Sequence, residues 1–445
     1  MTKDKAAIIS DKAIITYGEI SRLCGIFSKL LKKGSLILIK CRTNVPSIIG
    51  YAAAMSCGVA VMLCEDKDFD LGIIQNYAPL YIWQSNEKIP VGYSEVYSEY
   101  GYVLLRSDNE VGYNIDKNLA LLLSTSGSTG SSKFVRISRE NVADNTSAII
   151  KSLRINESDR AIAMLPISYT YGLSVVNTYL SVGATLLVTE YPVYHSCFWE
   201  FARAHSCSAI CGVPYTYELI KKFGFLKTPI ASLRLATQAG GKLSRDTEKY
   251  MLDLALSRNF DFAVMYGQTE ATARMTCHIL NENPDKLGSA GRVLPGGNIG
   301  VEDGELVYKG ANVTMGYSDS YRDLAGGDER GGVLRTGDTG YIDGDGFVHI
   351  TGRKKRISKL NGYRISLDEL ENLIQAECNT AAACVERTDG IHILLETESR
   401  EKHIIENVRN YVIKKTGING RLININIIGS LPRNESGKIL YEKIK

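Results

Sequence analysis

Apolar residues in the first half of the chain alternate between two patterns. Thr16-Tyr17-Gly18-Glu19 has the form of a capping box, in which a threonine hydroxyl takes an orphan helix N–H and a glutamate reaches back. Behind it Ile20, Leu23, Phe27, Leu30 and Leu31 recur at helical spacing, so a helix with one buried face is expected. Leu36-Ile37-Leu38-Ile39 is a continuous apolar run, the signature of a strand covered on both faces. Val45 to Cys64 holds no charged residue and approaches the ~20 residues of a bilayer span. Gly50 and Gly58 interrupt it, however, and Val59-Ala60-Val61-Met62-Leu63 is β-prone. It reads as a buried helix, a glycine C-cap at Gly58 and a buried strand. Ala161 to Leu165, Thr185 to Val188 and Ala209 to Cys211 are further short apolar strands between helical stretches. The alternation predicts an α/β protein with a parallel-rich sheet covered by helices.

After about residue 285 glycine becomes dense and the strands become short: Gly304 to Tyr308, Gly340 to Ile342 and Gly346 to Ile350. A small antiparallel or barrel-like unit is expected there, at about 285–352. The basic run Arg353-Lys354-Lys355-Arg356 follows, with the character of a solvated linker. Ser366-Leu367-Asp368-Glu369 then repeats the capping-box form before Leu370, Leu373 and Ile374. Strand-like segments at Ala381 to Val385 and His392 to Leu395 and a helical one at Glu401 to Lys415 complete the chain. Residues 1–354 are therefore expected to form a large N-terminal domain, and 355–445 a separate small α+β domain.

Composition narrows the function classes. The chain has 445 residues, 44% hydrophobic and 23% charged, as in ordinary globular proteins. Fifty-two basic against 49 acidic residues leave a formal charge of +3, which argues against a nucleic-acid or polybasic membrane binder. Neither a secretory signal nor a lipidation box is evident. Ten cysteines without a Cys-x-x-Cys pair suit a reduced, cytoplasmic protein. His195, Cys197, His205, Cys207 and Cys211 lie close together, but their spacing fits no usual zinc pattern, so no metal site is expected there.

The richest chemistry lies at Leu121-Leu122-Leu123-Ser124-Thr125-Ser126-Gly127-Ser128-Thr129-Gly130-Ser131-Ser132-Lys133. An apolar strand enters a loop of small hydroxyl residues and glycines that ends on lysine. Backbone N–H groups and hydroxyls presented this way suit phosphate oxygens. The spacing is not that of a Walker A loop, and Phe134-Val135-Arg136-Ile137 reads as a strand where a P-loop would start a helix. Taken alone, the segment fits both a phosphate cradle and a hairpin tip.

Ser124 to Lys133 closely resembles the signature loop of the adenylate-forming superfamily: acyl-CoA synthetases, adenylation domains of nonribosomal peptide synthetases, and luciferases. Further blocks follow in the superfamily's order. They are Tyr266-Gly267-Gln268-Thr269-Glu270; Gly304-Glu305-Leu306-Val307 with Gly310 and Gly316-Tyr317; and Arg335-Thr336-Gly337-Asp338. Gly352-Arg353 with Lys359, Gly362, Arg364-Ile365 and Glu369-Leu370-Glu371 come next, and then Leu431-Pro432-Arg433-Asn434-Glu435-Ser436-Gly437-Lys438. The resemblance implies a two-step reaction. A carboxylate attacks the α-phosphate of ATP, giving an acyl adenylate and pyrophosphate, and a thiol of coenzyme A or of a carrier-protein phosphopantetheine then takes the acyl group.

It also implies site roles. Thr125, Ser126, Gly127, Ser128, Thr129, Gly130 and Lys133 would cradle the phosphates. Thr269 would reach the α-phosphate and Glu270 would hold Mg²⁺. Gly240, Gly241, Tyr266, Gly267 and Gln268 would bound the nucleotide, with Asp338 on the ribose and Arg353 at its phosphate edge. Lys438 would bridge the carboxylate and the α-phosphate. Tyr169, Gly172, Val213 and Gln238 would line the acyl pocket, and Lys355 would be the hinge of a mobile C-terminal lid.

Several residues depart from the superfamily pattern. Ser132 replaces a proline, Arg139 a histidine, Lys355 a common aspartate, and Tyr169 the histidine that gates the carboxylate tunnel in many relatives. No aspartate occurs between Arg160 and Leu226, where amino-acid-activating domains carry one. The expected substrate is therefore a plain carboxylic acid, with an acyl or peptidyl carrier protein as an alternative acceptor. A non-catalytic nucleotide-binding relative, an amino-acid adenylation domain and a luciferase-type oxidase are the competing readings.

Overall fold

The computed structural model describes residues 2–66, 69, 71–124, 133–360, 363–378, 380–387, 389–397, 402–433 and 439–444. Its chain divides into two compact units, Met1–Asn298 with Tyr308–Leu334, and Ile299–Val307 with Arg335–Lys445.

Two sheets build the first unit. In the nine-stranded sheet Ala6–Ser10, Thr185–Val188, Arg160–Ile162, Ala209–Gly212, Leu235–Gln238 and Asp261–Tyr266 run parallel as neighbours. Antiparallel Thr276–Ile279 and Arg292–Val293 extend one edge, and Ile14–Thr16 the other. The eight-stranded sheet has a parallel centre of Tyr81–Ser85, Leu36–Cys41, Ala60–Glu65 and Leu119–Ser124. Phe134–Ser138 returns antiparallel to Leu119–Ser124, so the expected phosphate loop joins two strands of a hairpin. Residues 125–132 of that loop lie outside the described residues.

Each apolar strand serves two cores because its side chains alternate faces. Ile37 and Ile39 enter a core shared with Ala161 and Leu186 of the other sheet, whereas Leu36 and Leu38 pack on the opposite side. Helices Tyr17–Leu30, Val45–Ser56, Arg139–Leu153 and Thr170–Ser181 contribute to that shared core. Ile162, Leu187 and Ile210 face a second core under helices Ser196–Ala204, Pro214–Phe223 and Arg245–Arg258.

Local signals set the element starts. Both bonds of the Thr16 capping box form: the Glu19 amide donates to the Thr16 hydroxyl at 3.2 Å and the Thr16 amide to the Glu19 carboxylate at 2.7 Å. The apolar run after Val45 is a helix ending at Ser56, Gly58 with φ +73°, and the strand Ala60–Glu65. The helix cap itself is Cys57, one residue earlier than expected. Arg139 donates to the carbonyls of Met55 and Val59 at 3.1 and 3.0 Å, so it ties down the end of this helix. The strand expected over Ala161 to Leu165 stops at Ile162. Among the described residues no helix is long and apolar enough to cross a membrane.

The His/Cys cluster is accounted for locally. His195 accepts the Cys197 amide at 3.2 Å and stacks on Tyr191, His205 lies against Phe201, and Cys207 and Cys211 are buried. Among the described residues no group of three His, Cys, Asp or Glu could hold a metal.

Most of a four-stranded sheet, in the order Asn298–Glu302, Glu305–Lys309, Val333–Ile342 and Val348–Arg353, belongs to the second unit. Beyond it come the hairpin Ile357–Leu360/Tyr363–Ser366, helix Leu367–Cys378, the sheet Ala381–Arg387, Gly390–Glu396 and Ile423–Ile428, and helix Lys402–Thr416. The basic run is not merely solvated. Arg353 pairs with Asp338, Lys354 with Glu305, and Arg356 with Asp368 and Glu371. Arg356 also lies 3.6 Å over the Tyr441 ring.

Burial pushes the Glu371 carboxyl up from 4.5 to about 7, against the opposing pull of Arg356, the Cys384 amide and the Tyr441 hydroxyl. Burial raises Glu248 of the first unit to about 7 as well. Each binds in the native state a proton that the unfolded chain has already released between the two pKa values. Stability therefore falls as pH rises from about 4.5 to about 7, by up to roughly 3 kcal/mol per group. A thermal unfolding series from pH 5 to 8 should show the midpoint dropping through that window, with a shallower drop in Glu371→Gln. A midpoint constant across it would contradict the shift.

Candidate active site

Most of the expected site residues in the first unit lie where neighbouring parallel strands end. Ligands in open α/β sheets bind outside such carboxyl ends, because the loops there are free to diverge. Tyr169 and Gly172 follow Arg160–Ile162, Val213 follows Ala209–Gly212, and Gly240-Gly241 follow Leu235–Gln238. Gly267 to Glu270 follow Asp261–Tyr266.

Close approaches make three of these glycines necessary. Gly240 has φ +89°, and a Cβ on it would lie 2.3 Å from the Tyr169 hydroxyl and 3.5 Å from Val213. Expected acyl-pocket and nucleotide residues thus meet at one point. Gly172 brings the start of helix Thr170–Ser181 against the Pro166 carbonyl, 2.2 Å from where its Cβ would be. Gln238 is fully buried and its amide donates to the Gly241 carbonyl at 2.8 Å, fixing the course of that loop.

At Gly267 the constraint is space rather than φ, since a Cβ would fall 1.7 Å from the Ala273 carbonyl oxygen. The turn of Gln268, Thr269 and Glu270 closes on itself there. Gly267→Ala should displace this turn, lower stability by about 1–3 kcal/mol, and cut pyrophosphate release more than tenfold. Activity within twofold of the parent protein would refute the constraint.

Glu270 leads into a cluster not anticipated from the sequence. Its carboxylate accepts the Tyr317 hydroxyl at 2.7 Å, and its carbonyl accepts the Thr314 amide at 3.0 Å. Arg330 lies 4.7 Å over the Tyr317 ring. Burial and the Glu270 charge hold the Tyr317 hydroxyl above its ordinary pKa, so it remains a donor at neutral pH. Tyr317 is in turn placed by Arg136, whose Nε donates to the Tyr317 carbonyl at 2.9 Å and which pairs with Glu329. Lys133 stands exposed at the hairpin's return, 3.5 Å from Asp319.

Backbone strain follows Glu270. Thr272 and Ala273 have φ of +50° and +108°. Buried amides hold them there: Asn145 donates to the Arg274 carbonyl at 2.7 Å, and Asn312 to the Ala271 carbonyl at 2.8 Å. Such over-determined strain is typical of functional turns. Nothing local in the sequence marked Asn145 or Asn312 as supports.

In the second unit Asp338 and Arg353 face each other across antiparallel strands, with Arg353 Nε 3.3 Å from the carboxylate. Asp338 is 4% exposed and its amide donates to the Thr336 hydroxyl at 3.1 Å. Gly337, with φ +72°, donates to Glu305, which also takes Arg335 and Lys354. Burial would raise the Glu305 carboxyl, but these donors outweigh it and hold it below its ordinary range. Lys355 is an exposed residue of the turn Lys354–Arg356. Lys438 and Gly362 lie outside the described residues, as do Thr125, Ser126, Gly127, Ser128, Thr129 and Gly130.

Residues 85–318, a little over half of the chain, match the family described as AMP-binding enzyme. The chain belongs to the AMP-binding enzyme family. A relative named probable 4-coumarate–CoA ligase 1, from Dictyostelium discoideum, is 27% identical over 81% of this chain and 68% of its own length. The 2-succinylbenzoate–CoA ligase of Lactococcus lactis is 25% identical over 74% of this chain and 71% of its own. Among solved structures, o-succinylbenzoate CoA synthetase of Bacillus subtilis with its acyl-adenylate intermediate superposes at TM-score 0.79, with 21% identity, covering 100% of this chain and 96% of that one. That likeness establishes the fold of this AMP-binding enzyme. Its donor set also fits the group expected of it, since the Glu270 carboxylate is a hard oxygen ligand of the kind Mg²⁺ takes.

Proposed function

We propose that the chain is an ATP-dependent, AMP-forming carboxylate–CoA ligase. The observation that carries this reading is the family match, supported by the convergence of Tyr169, Val213 and Gly240 at adjoining strand ends. In the first step the acid's carboxylate oxygen attacks the α-phosphorus, the bond to the bridging oxygen breaks, and pyrophosphate leaves. In the second the thiol of coenzyme A adds to the acyl carbon and AMP leaves.

Each residue has a task in this reading. The hydroxyls and amides of 125–130 with Lys133 bind the β- and γ-phosphates. Thr269 donates to the α-phosphate, and Glu270 would hold Mg²⁺, which would supply positive charge beside the phosphates. Tyr317 fixes the Glu270 carboxylate for that job. Gly240, Gly241, Tyr266, Gly267 and Gln268 bound the base, and Asp338, with two acceptor oxygens, takes the ribose hydroxyls. Arg353 orients the Asp338 carboxylate. Lys438 stabilises charge that develops only as the carboxylate attacks. Rotation of 355–445 about Lys355 exchanges the adenylating arrangement for the thioester-forming one.

A panel of carboxylic acids assayed for pyrophosphate release, with and without coenzyme A, tests the reading. Release with an acid, followed by thioester when coenzyme A is present, is expected. Thioester on a phosphopantetheinylated carrier protein but not on coenzyme A would reassign the acceptor. Pyrophosphate release without any thioester would favour an oxidase, and no release with any acid would favour a non-catalytic nucleotide binder.

A further inference from the structure

Arg274 is a buried cation with no task in the adenylation step. It is 3% exposed and lies just ahead of the strand Thr276–Ile279. Its guanidinium sits 3.8 Å over the Tyr171 ring, and its Nε donates to the Met265 sulfur at 3.4 Å. Among the described residues no carboxylate or carbonyl takes its remaining donors. The other deeply buried arginine, Arg136, shows how this fold otherwise deals with such a group. It reaches the carbonyls of Tyr317, Gly326 and Gly327 and the carboxylate of Glu329.

A desolvated charge costs much more than one ring face and one thioether return. Burial accordingly pulls the Arg274 pKa down. Its backbone is nonetheless held firmly, with its amide donating to Asn145 at 3.3 Å and its carbonyl accepting from Asn145 and Asn312. A planar fork of donors is thus fixed in place without an anion to receive it.

Its ring contact leads to Tyr169, one of the expected acyl-pocket residues. Tyr171 stacks beneath it, Tyr169 meets Tyr171 edge-on at 6.4 Å, and the Tyr169 hydroxyl abuts Gly240. In the ligase reading the reacting carboxylate belongs with Thr269, ahead of the strained Thr272–Ala273 turn. Arg274 lies beyond that turn.

We propose that Arg274 is a specificity residue that receives a second carboxylate, at the far end of the acid being activated. The substrates are then dicarboxylic acids, gripped by two N–H···O bonds from one guanidinium. This rests on the ligase reading above and deepens it.

The test uses the full chain with ATP, Mg²⁺ and matched pairs of acids, each monocarboxylic acid set against the dicarboxylic acid of equal length, both linear and aromatic. Pyrophosphate release should favour the better diacid by at least about 100-fold in kcat/KM, because a site built around a polar partner rejects analogues that lack it. Arg274→Met should collapse that ratio to within about tenfold of one, chiefly through a higher KM for the diacid, and Arg274→Lys should restore part of it. Release of pyrophosphate with monoacids only, or with both classes alike, overturns the inference and leaves the ligase reading intact. The absence of release with every acid overturns both. The comparison in the unaltered protein holds even if Arg274→Met folds poorly.

Discussion

Lys438→Ala lowers carboxylate-dependent pyrophosphate exchange by about 100- to 1,000-fold or more, the cost of removing one donor aimed at developing charge. The same variant transfers the acyl group from a supplied acyl adenylate to the thiol at close to the parent rate. A unit cation ~4 Å from an anion interacts by on the order of 4 kcal/mol at an effective dielectric of 20, enough to account for the drop. The described residues on both sides of the lysine are tied down. Arg433 bridges Ile439, the Leu440 amide donates to the Pro432 carbonyl at 2.8 Å, and Glu396 takes both the Leu431 amide at 2.9 Å and Arg433 at 2.5 Å. Equal loss of both half-reactions would count against the assignment, because a lysine used in both steps, or needed only for folding, would damage both.

Arg356→Met destabilises the second unit by about 3–5 kcal/mol, the range for removing one partner of a buried ion pair. The guanidinium neutralises Asp368 and Glu371 and supports the Tyr441 ring. Glu371 also accepts the Cys384 amide at 2.6 Å and the Tyr441 hydroxyl at 2.9 Å. Without Arg356, the Asp368 and Glu371 carboxylates are left close together in a half-buried site. The loss should be larger at pH 8 than at pH 5, because protonation of Glu371 relieves it at the lower pH. Adding Glu371→Gln to Arg356→Met should recover part of the stability. Chemical denaturation at the two pH values measures this, and a loss below about 1 kcal/mol at pH 8 would show that water reaches the pair. Tyr441 lies three residues past Lys438, so adenylation should fall along with stability in this variant.

The local elements were legible because their causes are local. A capping box needs four consecutive residues, and both its bonds form at Thr16 and Glu19. Strands covered on both faces need only a short apolar run, and Leu36 to Ile39 sends alternate side chains to two different cores. The false membrane span resolved into helix and strand because Gly58, at φ +73°, takes the left-handed turn between them. Arg353, Lys354 and Lys355 of the basic run are exposed, as a solvated linker would be, but Arg356 is half-buried against Asp368 and Glu371, 12 and 15 residues further on. A charge run cannot reveal whether distant acids fold back onto it.

The candidate site divides in the same way. Its motif residues could be named in order from the sequence, since each block is a contiguous turn or loop. Tyr317 could be quoted as part of a motif, yet its grip on Glu270 spans 47 residues and appears only in the folded chain. Arg274 gave no sequence signal, being one arginine in an ordinary stretch.

By itself, then, the sequence determined the alternation of helix and strand, the order of the phosphate, nucleotide and lysine blocks, and the family they imply. Periodicity, caps and short turns depend on residues that are neighbours along the chain. Tertiary structure alone decided which strands lie side by side, why Gly240 must lack a side chain beside Tyr169, and which arginine is buried without an anion. Those outcomes depend on long-range packing, where the burial and partners of a side chain come from segments that no local window contains.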